Sequence, residues 1–150
     1  MKKILFVCHG NICRSPMAEF VMKDMLKKEG FACTIASAAT SREEIGNPIY
    51  PPAKRELSAH GIKTDGRTAR QICPQDYEAF DYLLGMDSAN IKNMQKAFGG
   101  DPQGKILRLL DLTQKPRDIA DPWYTGGFDE TYRDVAEGCQ KLLEKLKAEK

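Results

Sequence analysis

Three features are missing from this chain: a long apolar run, a large charge of either sign, and a paired-cysteine spacing. Its 23 basic and 21 acidic residues leave a formal charge of +2, so no broad basic surface is available to grip nucleic acid, and no such partner is expected. The apolar stretch within Met1 to Val7 ends at the polar segment Cys8 to Ser15, with no small-residue cleavage site. That is too short for a signal core or a bilayer span, so no membrane association and a cytoplasmic location are expected. Five cysteines, at 8, 13, 33, 73 and 139, form an odd set without C-x2-C pairs, which argues against a disulfide framework or structural zinc. Reduced thiols are expected, with no metal and no cofactor.

A length of 150 residues suits one domain spanning 1–150 with a core of its own; no repeat or interdomain linker interrupts it. Ile4-Leu5-Phe6-Val7 reads as a buried central strand. Ser15 as cap and Pro16 at the first helical position then open a helix whose apolar residues, Met17 to Leu26, run until Gly30. Further strands are expected over Phe31–Ala39, Phe80–Met86 and Lys105–Leu110. Helices are expected over Ala53–His60, from a cap at Asp87 or Ser88 to Phe98, and over Asp129–Ala148. Strands alternating with helices predict an α/β fold, a parallel sheet with helices on both faces. Two long polar loops, Thr40–Pro52 and Leu112–Phe128, invite a functional explanation.

The segment Cys8-His9-Gly10-Asn11-Ile12-Cys13-Arg14-Ser15 joins the first strand to the first helix, where parallel sheets open a ligand crevice. A loop entering a helix there aims backbone N–H groups and the positive end of the helix dipole at one point, which suits a dianion. Arg14 adds a planar fork for two phosphate oxygens. The Walker pattern G-x-x-x-x-G-K-[ST] is absent, and the loop begins instead with a cysteine. A thiol in such surroundings is stabilised as its thiolate, the nucleophilic form. It can attack phosphorus in line, but the leaving oxygen then needs a proton. Asp121, in the rigid turn Ala120-Asp121-Pro122-Trp123-Tyr124, is the candidate acid.

C-x5-R-S at Cys8 to Ser15, with D-P and two aromatics at 121–124, resembles the low-molecular-weight protein tyrosine phosphatases. Ser37-Ala38-Ala39-Thr40-Ser41, Ile45-Gly46-Asn47-Pro48, Ala69-Arg70-Gln71 and Phe80-Asp81-Tyr82 through Met86-Asp87 extend the resemblance along the chain. It implies a four-stranded parallel sheet with the phosphate-binding loop after the first strand. It also implies Cys8 as nucleophile, Arg14 as phosphate clamp and Asp121 as general acid and base. Ser15 would hydrogen-bond the thiolate, Asn11 would hold the loop with Ser37, and Cys13 would be able to pair reversibly with Cys8 under peroxide.

Substrate contacts are expected from the loop, His9, Gly10, Asn11, Ile12, Cys13, Arg14 and Ser15, and from Trp123, Tyr124 and Tyr50 at the rim. The chain departs from the family pattern at Glu43, where many members carry an aromatic, and at Tyr50 and Pro52, where an aspartate and an arginine are common. The expected substrate is a phosphotyrosine protein or small aryl phosphate, acted on by a monomer. Three alternatives stand beside it: a protein arginine phosphatase, which Ile12 in place of a threonine disfavours; an arsenate reductase, which needs more redox cysteines than Cys73; and a non-catalytic phosphate-binding module, which has no use for a nucleophile and an acid. His9 and His60 are assigned surface or packing positions, and Cys33, Cys73 and Cys139 are read as core or surface thiols.

Overall fold

The structure, a computed structural model, describes residues 1–149. Four strands, β1 (Lys3–Cys8), β2 (Thr34–Ala39), β3 (Tyr82–Gly85) and β4 (Ile106–Arg108), form one parallel sheet in the order β2-β1-β3-β4. β1 is central, as its unbroken apolar run requires, because such a strand must be covered on both faces. Its side chains alternate accordingly. Ile4, Phe6 and Cys8 join one core, with α1 (Arg14–Glu29), α2 (Pro51–Ala59) and α6 (Phe128–Ala148). Leu5 and Val7 join the other, with Tyr77 from α3 (Asp76–Ala79) and Met94 from α4 (Ser88–Phe98). A short helix α5 (Pro122–Thr125) lies in the last long loop.

The chain steps from β1 to β2 on one side, then crosses back to β3 on the other, so the direction of winding reverses beside β1. That places the carboxyl end of β1, where Cys8 stands, at the switch point at which open parallel sheets bind ligands. Strands β2 to β4 are shorter than the sequence predicts, while β1 extends one residue further at each end. β2 begins at Thr34 rather than Phe31, since Gly30 in a left-handed conformation closes α1 and residues 31–33 form the turn away from it. β4 stops at Arg108 and becomes a 3-10 turn, Leu109–Leu112.

Helix packing fixes the site's distant half. α6 crosses α1 and the 3-10 turn closely enough that a methyl at Gly138 would come within 2.9 Å of Leu109 Cδ2, which explains a glycine inside a helix where alanine is otherwise preferred. His60 stacks flat on Tyr132, centroids 3.6 Å apart, and pairs with Glu56 at 3.0 Å; it is a packing residue, as expected. No helix of the described residues is long and apolar enough to cross a membrane.

Candidate active site

The loop after β1 wraps around the Cys8 thiol. Asn11 N–H donates to Cys8 Sγ at 3.2 Å, and Ser15 Oγ lies 3.0 Å from the same sulfur. Helix α1 starts two residues earlier than expected, with Cys13 as its cap position and no side-chain cap. Ser15 is therefore inside the first turn, and its hydroxyl turns to the thiol instead of closing the helix. Asn11 and Ser15 are both fully buried. Neither lines the cleft; their side chains lie behind the loop and act on the sulfur. Ser37 is a second correction. Its Oγ donates to Glu19 at 2.5 Å, because its position on β2 faces α1, where a carboxylate is the stronger acceptor, while Asn11 Oδ1 is held by Arg67 and Arg70.

Arg14 is 2 % exposed. Its Nη1 donates to Asp87 Oδ2 at 2.8 Å and to the Ile119 carbonyl at 2.7 Å, and Nη2 lies 3.5 Å from Asp121 Oδ2. Burial works against its charge, but Cys8, Asp87 and Asp121 together outweigh that and raise the guanidinium above its ordinary pKa. Asp87, foreseen only as a cap, serves two elements at once: Oδ1 takes the Asn90 N–H at 2.8 Å to close α4, and Oδ2 orients Arg14. Asp121 is the cap of α5, with Oδ1 accepting from Trp123 N–H at 3.0 Å. Cys13 sits beside the nucleophile, and burial above all, with the charges of Cys8 and Asp121, pushes its thiol up to about 12. Among described thiols it is the one kept as a neutral neighbour within the loop.

These groups open on a cleft of about 130 Å³. Cys8, Gly10, Ile12, Cys13 and Arg14 form its floor, Asp121, Trp123 and Tyr124 one wall, and His9 with Glu43 and Glu44 the other. His9 Nε2 and Glu43 Oε2 are 2.8 Å apart, so this histidine clasps the phosphate loop to the loop over 41–46. Tyr50 does not line the cleft. It packs behind Trp123 in a tilted contact, with centroids 4.8 Å apart, and against Phe128 at 6.0 Å, so the two rings hold it away from the cleft. Its contribution is to brace the aromatic wall.

Most of the residues that sequence reasoning missed act through another residue. The Asp87-x-x-Asn90 spacing announces a cap but not its second partner. Glu44 stands in a loop without periodicity. Arg67 grips both oxygens of Asn11 from 56 positions away, and no local pattern announces such a contact. Arg70 is held by a two-pronged pair with Asp76, 3.0 and 3.2 Å, which anchors the segment carrying Arg67.

With this geometry in view, comparison with known proteins is direct. Residues 3–150 match the family model described as low molecular weight phosphotyrosine protein phosphatase. The chain belongs to that family. It is 40% identical to low molecular weight protein-tyrosine-phosphatase YfkJ of Bacillus subtilis, over 100% of this chain and 99% of the relative. The YfkJ crystal structure superposes with a TM-score of 0.97, covering 100% of this chain and 97% of that one. A Streptococcus pyogenes low molecular weight protein tyrosine phosphatase is 43% identical at a TM-score of 0.88, covering 97% and 93%. A structure named as a drosophila arginine phosphatase is 32% identical at 0.87, covering 98% of each chain. The structural neighbours thus include proteins named as tyrosine phosphatases and one named as an arginine phosphatase.

Proposed function

We propose that the protein hydrolyses phosphotyrosine in proteins, and small aryl phosphates, through a phosphocysteine on Cys8. Cys8 Sγ attacks phosphorus as the ester P–O bond breaks. The developing dianionic charge is met by the Arg14 fork and the N–H groups of the loop. The leaving phenolate takes a proton from the Asp121 carboxyl. In the second step the Asp121 carboxylate removes a proton from water as the water oxygen bonds to phosphorus, the S–P bond breaks, and inorganic phosphate leaves with Cys8 restored as thiolate.

The observation carrying this reading is that a thiol and a buried arginine of one loop meet a carboxyl from far along the chain in one cleft, at the switch point of the sheet. An aromatic wall of Trp123 and Tyr124 and the apolar Ile12 favour an aryl ester over a phosphoguanidinium. Cys73 is exposed and is not among the cleft residues, which leaves the arsenate reductase reading without a middle-region thiol at the cleft to pass electrons on. The five free cysteines suit a reducing compartment, the cytoplasm, and the site is complete within one chain, so it works as a monomer.

The test is phosphate release from p-nitrophenyl phosphate, a phosphotyrosine peptide and a phosphoarginine peptide, with chelator present. Wild type should turn over the first two and favour phosphotyrosine over phosphoarginine, and Cys8→Ser should abolish turnover. Activity surviving Cys8→Ser would overturn the mechanism, and a preference for phosphoarginine would overturn the substrate.

A further inference from the structure

Asn11 is the one non-glycine among the described residues with a left-handed backbone, φ +59°, and it is wholly buried. Such a conformation persists where its surroundings over-determine it. Those surroundings are chiefly Arg67. Nη1 donates to the Asn11 carbonyl at 3.1 Å, and Nη2 makes a short bond to Asn11 Oδ1, to which Arg70 N adds a longer one at 3.3 Å. One fork thus holds both the main chain and the side chain of the same residue.

A guanidinium can only donate. With Oδ1 committed to Arg67, the NH2 end of the Asn11 amide turns to Ser15, Nδ2 standing 2.8 Å from Oγ. Ser15 Oγ is therefore an acceptor there, and its own hydrogen is free for Cys8 Sγ at 3.0 Å. Distance alone does not say which of those two atoms donates; the arginine decides it from further along the chain of bonds. Asn11 N–H supplies the second donor to the sulfur, at 3.2 Å. We propose that Arg67 is a positioning residue for the nucleophile: its donor-only fork sets the direction of the chain Arg67 to Asn11 to Ser15 to Cys8, so that two donors face the attacking thiolate.

Other observations agree. Arg67 is not among the residues lining the cleft, so its effect passes through Asn11. Its segment is tied down by isolated bridges from Thr68 to Pro48 and from Gln71 to Ala39, and Arg67 N–H bonds Asp65 Oδ1 at 2.9 Å. Burial lowers the Arg67 pKa against the opposing pull of Glu19, Cys8 and Asp65, yet an arginine stays cationic and cannot reverse to an acceptor. A neutral side chain with an acceptor atom would let the amide flip and Ser15 donate to Asn11 instead of to sulfur.

The proposal rests on Cys8 as the nucleophile, and its test reads that thiol without needing turnover. Rates of Cys8 alkylation by iodoacetate across pH would be compared for wild type, Arg67→Met, Arg67→Lys, Ser15→Ala and the Arg67→Met, Ser15→Ala double variant. Arg67→Met should move the alkylation midpoint to higher pH and, on p-nitrophenyl phosphate, lower kcat about 10-fold with KM changed less than about 3-fold. Arg67→Lys, a donor without the fork, should fall between Met and wild type. The double variant should shift less than the sum of the two single shifts, because the fork acts in part through Ser15. An unshifted midpoint in a folded Arg67→Met, or additive shifts in the double variant, would overturn the proposal; should Arg67→Met fail to fold, a wild-type midpoint in Arg67→Lys would overturn it. If wild type failed to hydrolyse any phosphate ester, the proposed function would fall, while the alkylation profiles would still decide the role of Arg67.

Discussion

Asp87 divides its carboxylate between two tasks, Oδ2 holding Arg14 at 2.8 Å and Oδ1 holding the N–H of Asn90 at 2.8 Å. The phosphate clamp is thereby keyed to the start of α4. Asp87→Ala should lower stability by roughly 1 kcal/mol from the lost cap and raise KM for p-nitrophenyl phosphate, since Arg14 Nη1 keeps only the Ile119 carbonyl. Asp87→Asn, which still caps, should recover the melting temperature but not the KM. Recovery of both would mean that Arg14 does not depend on this charge.

Asp121→Ala separates substrates by leaving group. Nitrophenolate leaves without much help from an acid, whereas an alkyl or unsubstituted phenyl ester does not. The loss for phenyl phosphate should exceed that for p-nitrophenyl phosphate by about 10-fold or more. Equal losses in kcat would remove Asp121 from the acid's role.

Cys13 makes a prediction about alkaline pH. Its folded pKa, pushed up to about 12 from an ordinary value of 9.0, means that the unfolded thiol ionises first. Between these values the folded state binds more protons, so stability falls as pH rises, by about 1.4 kcal/mol per pH unit for each such thiol. Cys139, wholly buried with its pKa raised by burial, acts in the same direction. Melting temperature should therefore be level below pH 9 and decline above it, and the decline should be shallower in Cys139→Ala. Identical slopes in the two proteins would contradict the assignment.

Glu43 and Glu44 give one wall of the cleft a negative charge. Peptides with lysine or arginine next to phosphotyrosine should be preferred over those with aspartate there, by about 2- to 5-fold at low salt and less at high salt. Glu43→Lys should reverse the order. A kcat/KM ratio indifferent to both flank and salt would show that these carboxylates do not reach the substrate.

Gly138→Ala tests the packing of α6. A methyl directed at Leu109 should destabilise by about 1–3 kcal/mol, as overpacking does, with kcat unchanged because the contact is remote from the cleft. Differential scanning calorimetry checks the first part and steady-state kinetics the second.

The sheet was legible because Ile4 to Val7 has no polar residue and so admits only a two-sided burial, and the helices because Gly30 and Asp87 mark a stop and a start. Strand ends were not legible. Residues 31–33 are as compatible with a strand as with the turn that Gly30 imposes, and Lys105 to Leu110 does not announce its change to a 3-10 turn. At the site, Cys8, Arg14 and Asp121 were readable because each stands in a local pattern, a strand-to-helix loop or a D-P turn. Tyr50 and Ser37 were assigned wrong partners since neither position fixes which way its side chain points until Trp123 and Glu19 are placed. Arg67 acts across the fold, where sequence spacing carries no information.

The cap on α5 links the proton donor to its own surroundings. Asp121 Oδ1 holds the N–H of Trp123, and a carboxyl is a weaker acceptor than a carboxylate. In the proposed cycle, a proton on Asp121 would weaken this tether of the aromatic wall, and delivery of the proton would restore it. Trp123 is the chain's one tryptophan and is about half exposed, at 51%. Its fluorescence should thus follow the charge of the neighbouring carboxyl as pH changes, and Asp121→Asn should flatten that response, giving an optical record of when the acid is charged with its proton.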